Sequence, residues 1–391
     1  MGRLAAVAAL AALALPGVAQ ASQGMSIGAA EDSAKAPTLA LAKAKMDLAK
    51  LAGLGAIRLT AQWKRGETAP NAGELALLQN AVAAADLDGI AVYLSVYPSG
   101  SSQTPLTAAA LADFVSYATA LAKALPTVHR FIVGNEPNLN RFWLPQFGNG
   151  GSDVGAPAYE ALLAQTYDAL KSVSPALTVI GGALSPRGND SVMSRKHSPT
   201  TFIRDLGLAY RRSGRTKPIM DEFSLHPYED NSAVPPNFRH PRTTTISLAD
   251  YPKLVGLLGK AFHGTAQPGS ALPIVYDEFG VQSKIPTGKA QAYEGYKPRS
   301  ERPVSEATQG SYYAQALALA ACQPTVTAFL IFHVSDEPSL DRWQSGVFYA
   351  DDTPKSSLPV VQRAIQSLQS AGIPSCSTSA IRAFAARMSR P

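Results

Sequence analysis

Cysteine is nearly absent: Cys322 and Cys376 are the only two in 391 residues. With no CxxC pair and no Cys/His cluster, nothing points to structural zinc or a dithiol redox centre, and no metal is expected. A glycine-rich phosphate turn is also missing. The first strand-like run, GMSIGAAEDS, carries no GxGxxG, and GLG at 53–55 precedes a strand instead of following one, so a dinucleotide-binding fold is set aside and no cofactor is expected. Beyond the N-terminal stretch no segment reaches roughly 18 uninterrupted apolar residues, which leaves no membrane span. Clustered positive charge is scarce too. The formal net charge is +6, yet Lys and Arg are scattered apart from RRSGRTK at 211–217 and KPRSER at 297–302. A nucleic-acid partner is therefore not expected; a solvated basic surface, or a mild attraction to acidic glycans or envelopes, accounts for the balance. There is no interdomain linker and no sequence repeat.

What is present begins with MGRLAAVAALAALALPGVAQASQG. Arg3, an apolar Ala/Leu run and Ala19-Gln20-Ala21 before Ser22 form the pattern of a secretory signal peptide over residues 1–21. The remainder, 22–391, is expected to be exported, soluble and monomeric. Its length, about 370 residues, suits two ordinary domains or one α/β barrel, and an apolar content of 46% is ample for a single large core. In an exported chain Cys322 and Cys376 can form one bridge, the alternative being two buried thiols. Cys322 ends a helix-like segment and Cys376 follows the last one, so a bridge would pin the C-terminus to its neighbour. Closing such a loop stabilises by about 3–4 kcal/mol on the chain-entropy argument.

Strand-like and helix-like runs alternate along the whole chain. The strands read at 24–30, 56–60, 90–97, 128–134, 177–182, 222–226, 273–279 and 326–332, which makes eight. Between them lie Ala-, Leu- and Lys-rich segments with apolar residues at helical spacing, such as GELALLQNAVAAADLDG, and LPVVQRAIQSLQSAG closes the series. Continuous apolar strands separated by helices mean a parallel sheet covered on both faces. Eight such units predict a single-domain (β/α)8 barrel over 22–391. Long Pro- and Lys-rich segments after strands 6 and 7 are expected to be loops over one face.

Barrel active sites sit at the carboxyl ends of the strands, so the residues where each apolar run stops are the ones to inspect. Strand 4 stops at Asn135-Glu136 in GNEPN, and strand 7 stops at Asp277-Glu278-Phe279-Gly280. Two carboxylates at one mouth are what glycosidic cleavage needs, one as proton donor and one as nucleophile or base. Arg58 ends strand 2 and can keep a carboxylate ionised; His226 and Tyr228, from LHPY ending strand 6, can orient one. Alternation along a strand lets only one of Asp277 and Glu278 face the site, so Asp277 reads as structural, as does Glu222 at the opposite end of the barrel. Trp63, Trp143 and Trp343 are all the tryptophans, and each is expected in a loop at the mouth, walling sugar subsites. Tyr97 is a weaker candidate for the same wall.

In these residues the chain resembles the clan-A glycoside hydrolases, retaining (β/α)8 enzymes with Asn-Glu-Pro ending strand 4 and a Glu ending strand 7. An Arg on strand 2 and a His-x-Tyr on strand 6 are frequent companions there. The resemblance implies that Glu136 is the acid/base, Glu278 the nucleophile and Asn135 the partner of the hydroxyl beside the reacting carbon. It also implies that Tyr228 touches Glu278 and that His226 lies close by. Two positions depart from the pattern: LSVYP replaces a His at strand 3, and IFHVSDEP, with His333, Asp336 and Glu337, stands where a Trp usually ends strand 8. The expectation is therefore a secreted retaining glycoside hydrolase acting on an equatorially or similarly linked oligo- or polysaccharide. A transglycosylase on the same residues and a non-catalytic glycan-binding barrel are the alternatives.

Overall fold

The computed structural model describes residues 24–373 and 375–390. The expected signal peptide, 1–21, lies outside them. Eight parallel strands close a barrel in chain order: β1 (Ser26–Ala30), β2 (Ala56–Trp63), β3 (Ala91–Pro98), β4 (Arg130–Val133), β5 (Thr178–Leu184), β6 (Glu222–Leu225), β7 (Ile274–Phe279) and β8 (Val326–Phe332). The seam is β1 on β8, with Ser26 opposite Ala328 and Ala30 opposite Phe332. Helices α1 (Leu39–Leu51), α2 (Ala72–Asp88), α3 (Ala108–Ala124) and α4 (Gly155–Val173) follow the first four strands. Then come α5 (Pro199–Arg212), α6 (Tyr251–Phe262), α7 (Glu306–Ala321) and α8 (Leu358–Ala371), with α9 (Thr378–Met388) last. The predicted (β/α)8 barrel is thus the fold observed.

Local chemistry fixes where the helices start. Thr38, Asn71, Thr107, Ser198, Ser305 and Ser377 each accept a hydrogen bond from a first-turn amide that would otherwise have no partner. Strand alternation then divides the core in two. One set packs between sheet and helices; a smaller set, including Ala56, Tyr93, Ile132, Ile180, Val275, Ala328 and Leu330, fills the lumen. Gly28 belongs to the lumen side of β1, where a Cβ would lie 2.3 Å from the Ala56 carbonyl oxygen, so β1 and β2 close only because that side chain is missing.

Strand bounds shift by a few residues from the sequence reading, most at β2 and β4. β2 runs on to Trp63 instead of stopping at residue 60, and β4 is confined to four residues. Cys322 and Cys376 form a disulfide, but Cys376 does not trail the last helix; it precedes α9, which the reading missed. That helix buries Ile381, Phe384, Ala385 and Met388, one face of a short amphipathic pattern, and the bridge ties its start to the end of α7. Among the described residues no helix is long and apolar enough to cross a membrane.

Candidate active site

Period two sends Arg58, Thr60 and Gln62 of β2 into the lumen, with Ser95 and Tyr97 of β3, Ser224 of β6 and Asp277 of β7. His226 and Tyr228 continue the inward phase of β6. At β4 the alternation breaks. Gly134 has φ +101° and Glu136 φ +43°, so both Asn135 and Glu136 reach the cavity where a regular strand would present one of them. Tyr159 of α4 holds this bend: its hydroxyl donates to the Val133 carbonyl at 2.6 Å and accepts from the Gly182 amide at 2.8 Å. A Cβ on Gly134 would meet the Tyr159 ring at 2.9 Å, so glycine is required by both backbone and neighbour. The Glu136 amide donates to the Ala183 carbonyl at 2.7 Å, completing the anchor.

β7 corrects the expectation that only one of Asp277 and Glu278 can face inward. Its register on β8 shifts between Tyr276 and Phe279, and this irregularity lets Asp277 lie in the lumen while Glu278 rises to the mouth. Arg58 joins them: Nη1 hydrogen-bonds Glu278 Oε1, and Nε lies 3.3 Å from Asp277 Oδ2. Its Nη2 donates to Asn135 Oδ1 at 2.8 Å and to Ser95 Oγ at 3.1 Å. Tyr228 donates to Glu278 Oε2 at 3.0 Å. His226 Nδ1 is 3.3 Å from both Glu136 Oε1 and Glu278 Oε2, and its Nε2 is 3.3 Å from Asp277.

Burial alone would strip the charge from His226. The Asp277 and Glu278 carboxylates overcome it and push the imidazole up to about 10, so it is an imidazolium at neutral pH. Arg58 is likewise buried, and Glu278 and Asp277 raise it above its ordinary value. Asp277 would be raised by its own burial, but His226 and Arg58 hold it below the usual carboxylate range. Burial, then the Glu278 carboxylate, keep Tyr228 protonated well above pH 10, fit only to donate.

Arg58, Asn135, Glu136, Tyr228 and Glu278 line an open cavity of about 720 Å³, with His226 and Asp277 fully buried behind them, a size that suits a small-molecule or oligosaccharide site. The structure brings Arg58, Asn135, Glu136, His226, Tyr228 and Glu278 together. It does not bring the tryptophans. Trp63 falls on the odd-numbered, helix-facing phase of β2 with Ile57, Leu59 and Ala61, fully buried against Phe114 of α3. Trp143 lies in the β4 loop but turns down onto Tyr159, 1% exposed. Only Trp343 lines the cavity, packed on Tyr228 at 4.8 Å between ring centroids and edge-on to Phe332 at 5.5 Å. Tyr97 lines it as well.

Sequence reasoning missed Gln62, Phe142, Arg141, Arg187 and Asp32, all cavity-lining. Gln62 was recoverable, since it shares the parity of Arg58; the others sit on loops whose direction no period encodes. His333 and Glu337 of the departing strand 8 segment also line the cavity. Asp336 of that segment turns away into a buried pair with Lys355 at 2.7 Å. Among the described residues no group of three His, Cys, Asp or Glu side chains is arranged to hold a metal ion.

No family profile matches the chain, and no curated protein does. Solved structures do. The fold is that of known glycoside hydrolases. A family 39 glycoside hydrolase from Bacteroides cellulosilyticus superposes with TM-score 0.62 at 18% identity, over 89% of this chain and 64% of that one. A glucosidase from Croceicoccus marinus gives 0.60 at 13%, over 89% and 69%. A monomeric beta-xylosidase from Caulobacter crescentus gives 0.54 at 16%, over 90% and 70%. At such identities the likeness establishes a shared barrel, and the chain spans only about two thirds of these proteins' length.

Proposed function

We propose that this protein is a retaining glycoside hydrolase that acts outside the cytoplasm, as a monomer, on an equatorially or similarly linked glycan. One observation carries the reading. Glu136 and Glu278 each place an oxygen 3.3 Å from the same His226 nitrogen, so those oxygens lie at most about 6.6 Å apart, which covers the retaining spacing and reaches only the shortest edge of the inverting one. Retention needs carboxyl groups about 5–5.5 Å apart, whereas inversion leaves about 6.5–9.5 Å for a water. Shared barrels with glycosidases support the reaction class, and the N-terminal stretch with the disulfide supports export.

In the first step Glu278 attacks the anomeric carbon while Glu136 gives its proton to the leaving oxygen. Arg58 and Tyr228 aim Glu278 by donating to its two oxygens; as one oxygen becomes an ester, the other keeps a donor. Asn135 is oriented by Arg58 through its carbonyl, which leaves its Nδ2 hydrogens for the hydroxyl beside the reacting carbon. Glu136 then takes a proton from water, which releases the sugar. His226, charged, hydrogen-bonded to Glu136 and ion-paired with Glu278, keeps the two apart in role and close in space.

A panel of aryl glycosides, with 2-fluoro sugars to trap the covalent intermediate, tests this. Turnover and a mass-spectrometric adduct on Glu278 are expected. No turnover and no adduct across the panel would sink the hydrolase in favour of a glycan-binding barrel, and products dominated by transfer to sugar acceptors would make it a transglycosylase.

A further inference from the structure

The cavity changes sign from one side to the other. On the side built by β8, β1 and β2, its lining includes Glu31, Asp32, Glu337 and Asp341, against His333, Arg342 and Arg58, the last already paired with Glu278 and Asp277. The carboxylates there are engaged by the protein. Glu31 accepts from the amides of Ser33, Val334 and Ser335, Asp32 from that of Thr60, Glu337 from that of Trp343, and Asp341 from the Ser339 hydroxyl. On the side built by β4 and β5 the cations dominate: Arg141 and Arg187 line it, and Glu136 is the sole carboxyl among its lining residues.

The two arginines are differently held. Arg187 is anchored by Nη1, which donates to the carbonyls of Tyr228 at 3.1 Å and Glu229 at 2.9 Å; Asp230 is 3.8 Å away, and 41% of the side chain remains exposed. Arg141 makes no ion pair among the described residues, and its guanidinium lies 5.3 Å over the Phe142 ring, itself part of the lining. A planar cation stacked on an aromatic and a second cation fixed by the carbonyls of Tyr228 and Glu229 are suited to carboxylate or sulfate oxygens.

Their address says which part of a substrate they meet. Glu136 stands on the same β4–β5 side, and the group that receives its proton is the one that leaves. We propose that the leaving-group side of the cleft binds an anionic sugar, so that the substrate is an acidic glycan in which a neutral unit is joined to a residue bearing a carboxylate or sulfate. The carboxylate-lined side opposes charge on the neutral unit, and the net charge of +6 draws the polyanion in. The assignment of sides rests on Glu136 being the acid.

Calorimetry on the Glu278→Ala protein tests the charge preference without turnover, with a β-linked tetrasaccharide of alternating neutral sugar and uronic acid and its carboxyl-reduced counterpart as probes. The acidic oligomer is expected to bind about tenfold more tightly, with added salt eroding the difference. Arg141→Ala/Arg187→Ala on that background is expected to abolish the preference, and Arg141→Lys/Arg187→Lys to retain part of it. Equal binding of the two probes, or a preference that survives the alanine pair, overturns the inference. A sulfated tetrasaccharide run alongside assigns the anion: tighter than the uronate means sulfate, weaker means carboxylate. A charge preference with no adduct on Glu278 in the trapping assay would remove the hydrolase reading and leave the anionic face standing.

Discussion

The two ends of the barrel bury similar chemistry to opposite effect. At the amino end Glu222 meets Thr327, whose hydroxyl donates at 3.4 Å, and shares its surroundings with Arg130, stacked 5.3 Å over Tyr93; one Glu222 oxygen has no partner. Burial wins there and raises the Glu222 carboxyl above its ordinary value, with Arg130 only partly offsetting it. At the carboxyl end Asp277 is more deeply buried, yet His226 and Arg58 hold it low. Glu222 does not line the cavity that Glu278 lines. A buried acid beside an arginine is therefore no sign of a site. What distinguishes the carboxyl end is a second cation, hydrogen bonds to both oxygens of the buried carboxylate and an opening.

The sharpest way to break this comparison is to remove one acid from each end. Glu278→Ala is expected to lower kcat/KM by on the order of 10,000-fold on an activated aryl glycoside, whereas Glu222→Ala leaves the rate intact and affects only stability. Comparable rate losses at both ends would dissolve the distinction. Next in size, Arg58→Met takes the guanidinium from Asp277 and Glu278, leaving His226 as their one buried cation, and is expected to cost about 3–5 kcal/mol in denaturant unfolding as well as activity. A cost within error of zero would mean the cluster is not an ion pair in solution.

The comparison was only partly visible in the amino acids. Eight apolar runs made the barrel legible, and strand ends located Arg58, Glu136, His226, Tyr228 and Glu278, because period and order survive in one dimension. Parity also condemned Trp63 once β2 is extended by one turn of the pleat, since it shares a phase with Ile57 and Leu59. The shift in β7 that turns Asp277 and Glu278 inward together had no signature, because a bulge depends on how β8 is paired. Trp143 and the arginines of the cleft lie on loops whose course is set by contacts remote in sequence. The helix α9 was missed since eleven residues with a weak apolar face look like a tail until α7 is there to receive them.

Two smaller effects refine the contrast by pH. His226 is raised from 6.5 to about 10, so the folded state holds its proton more tightly than the unfolded one. Its contribution to stability is complete below 6.5 and is lost as pH rises through about 10. Tm measured across that window should fall, and His226→Gln should flatten the fall; an unchanged slope would remove the imidazolium. At the other end Glu222 also binds its proton more tightly when folded, so stability declines as pH climbs from the ordinary carboxylate value through the raised one. Glu222→Gln is expected to erase that shallow decline, the smallest effect of the four.

Glu31 reaches from the end of β1 to the amides of Val334 and Ser335, and His333 Nδ1 is 2.7 Å from the Ala30 carbonyl oxygen. Residues some three hundred positions apart therefore share one wall of the cavity. A ribosome making this chain finishes seven strands, with Glu136 and Glu278 already made, before the wall can exist. The cleft is thus a property of the finished polypeptide alone, and a nascent or truncated chain carries both carboxyls without the wall that closes the cavity around them.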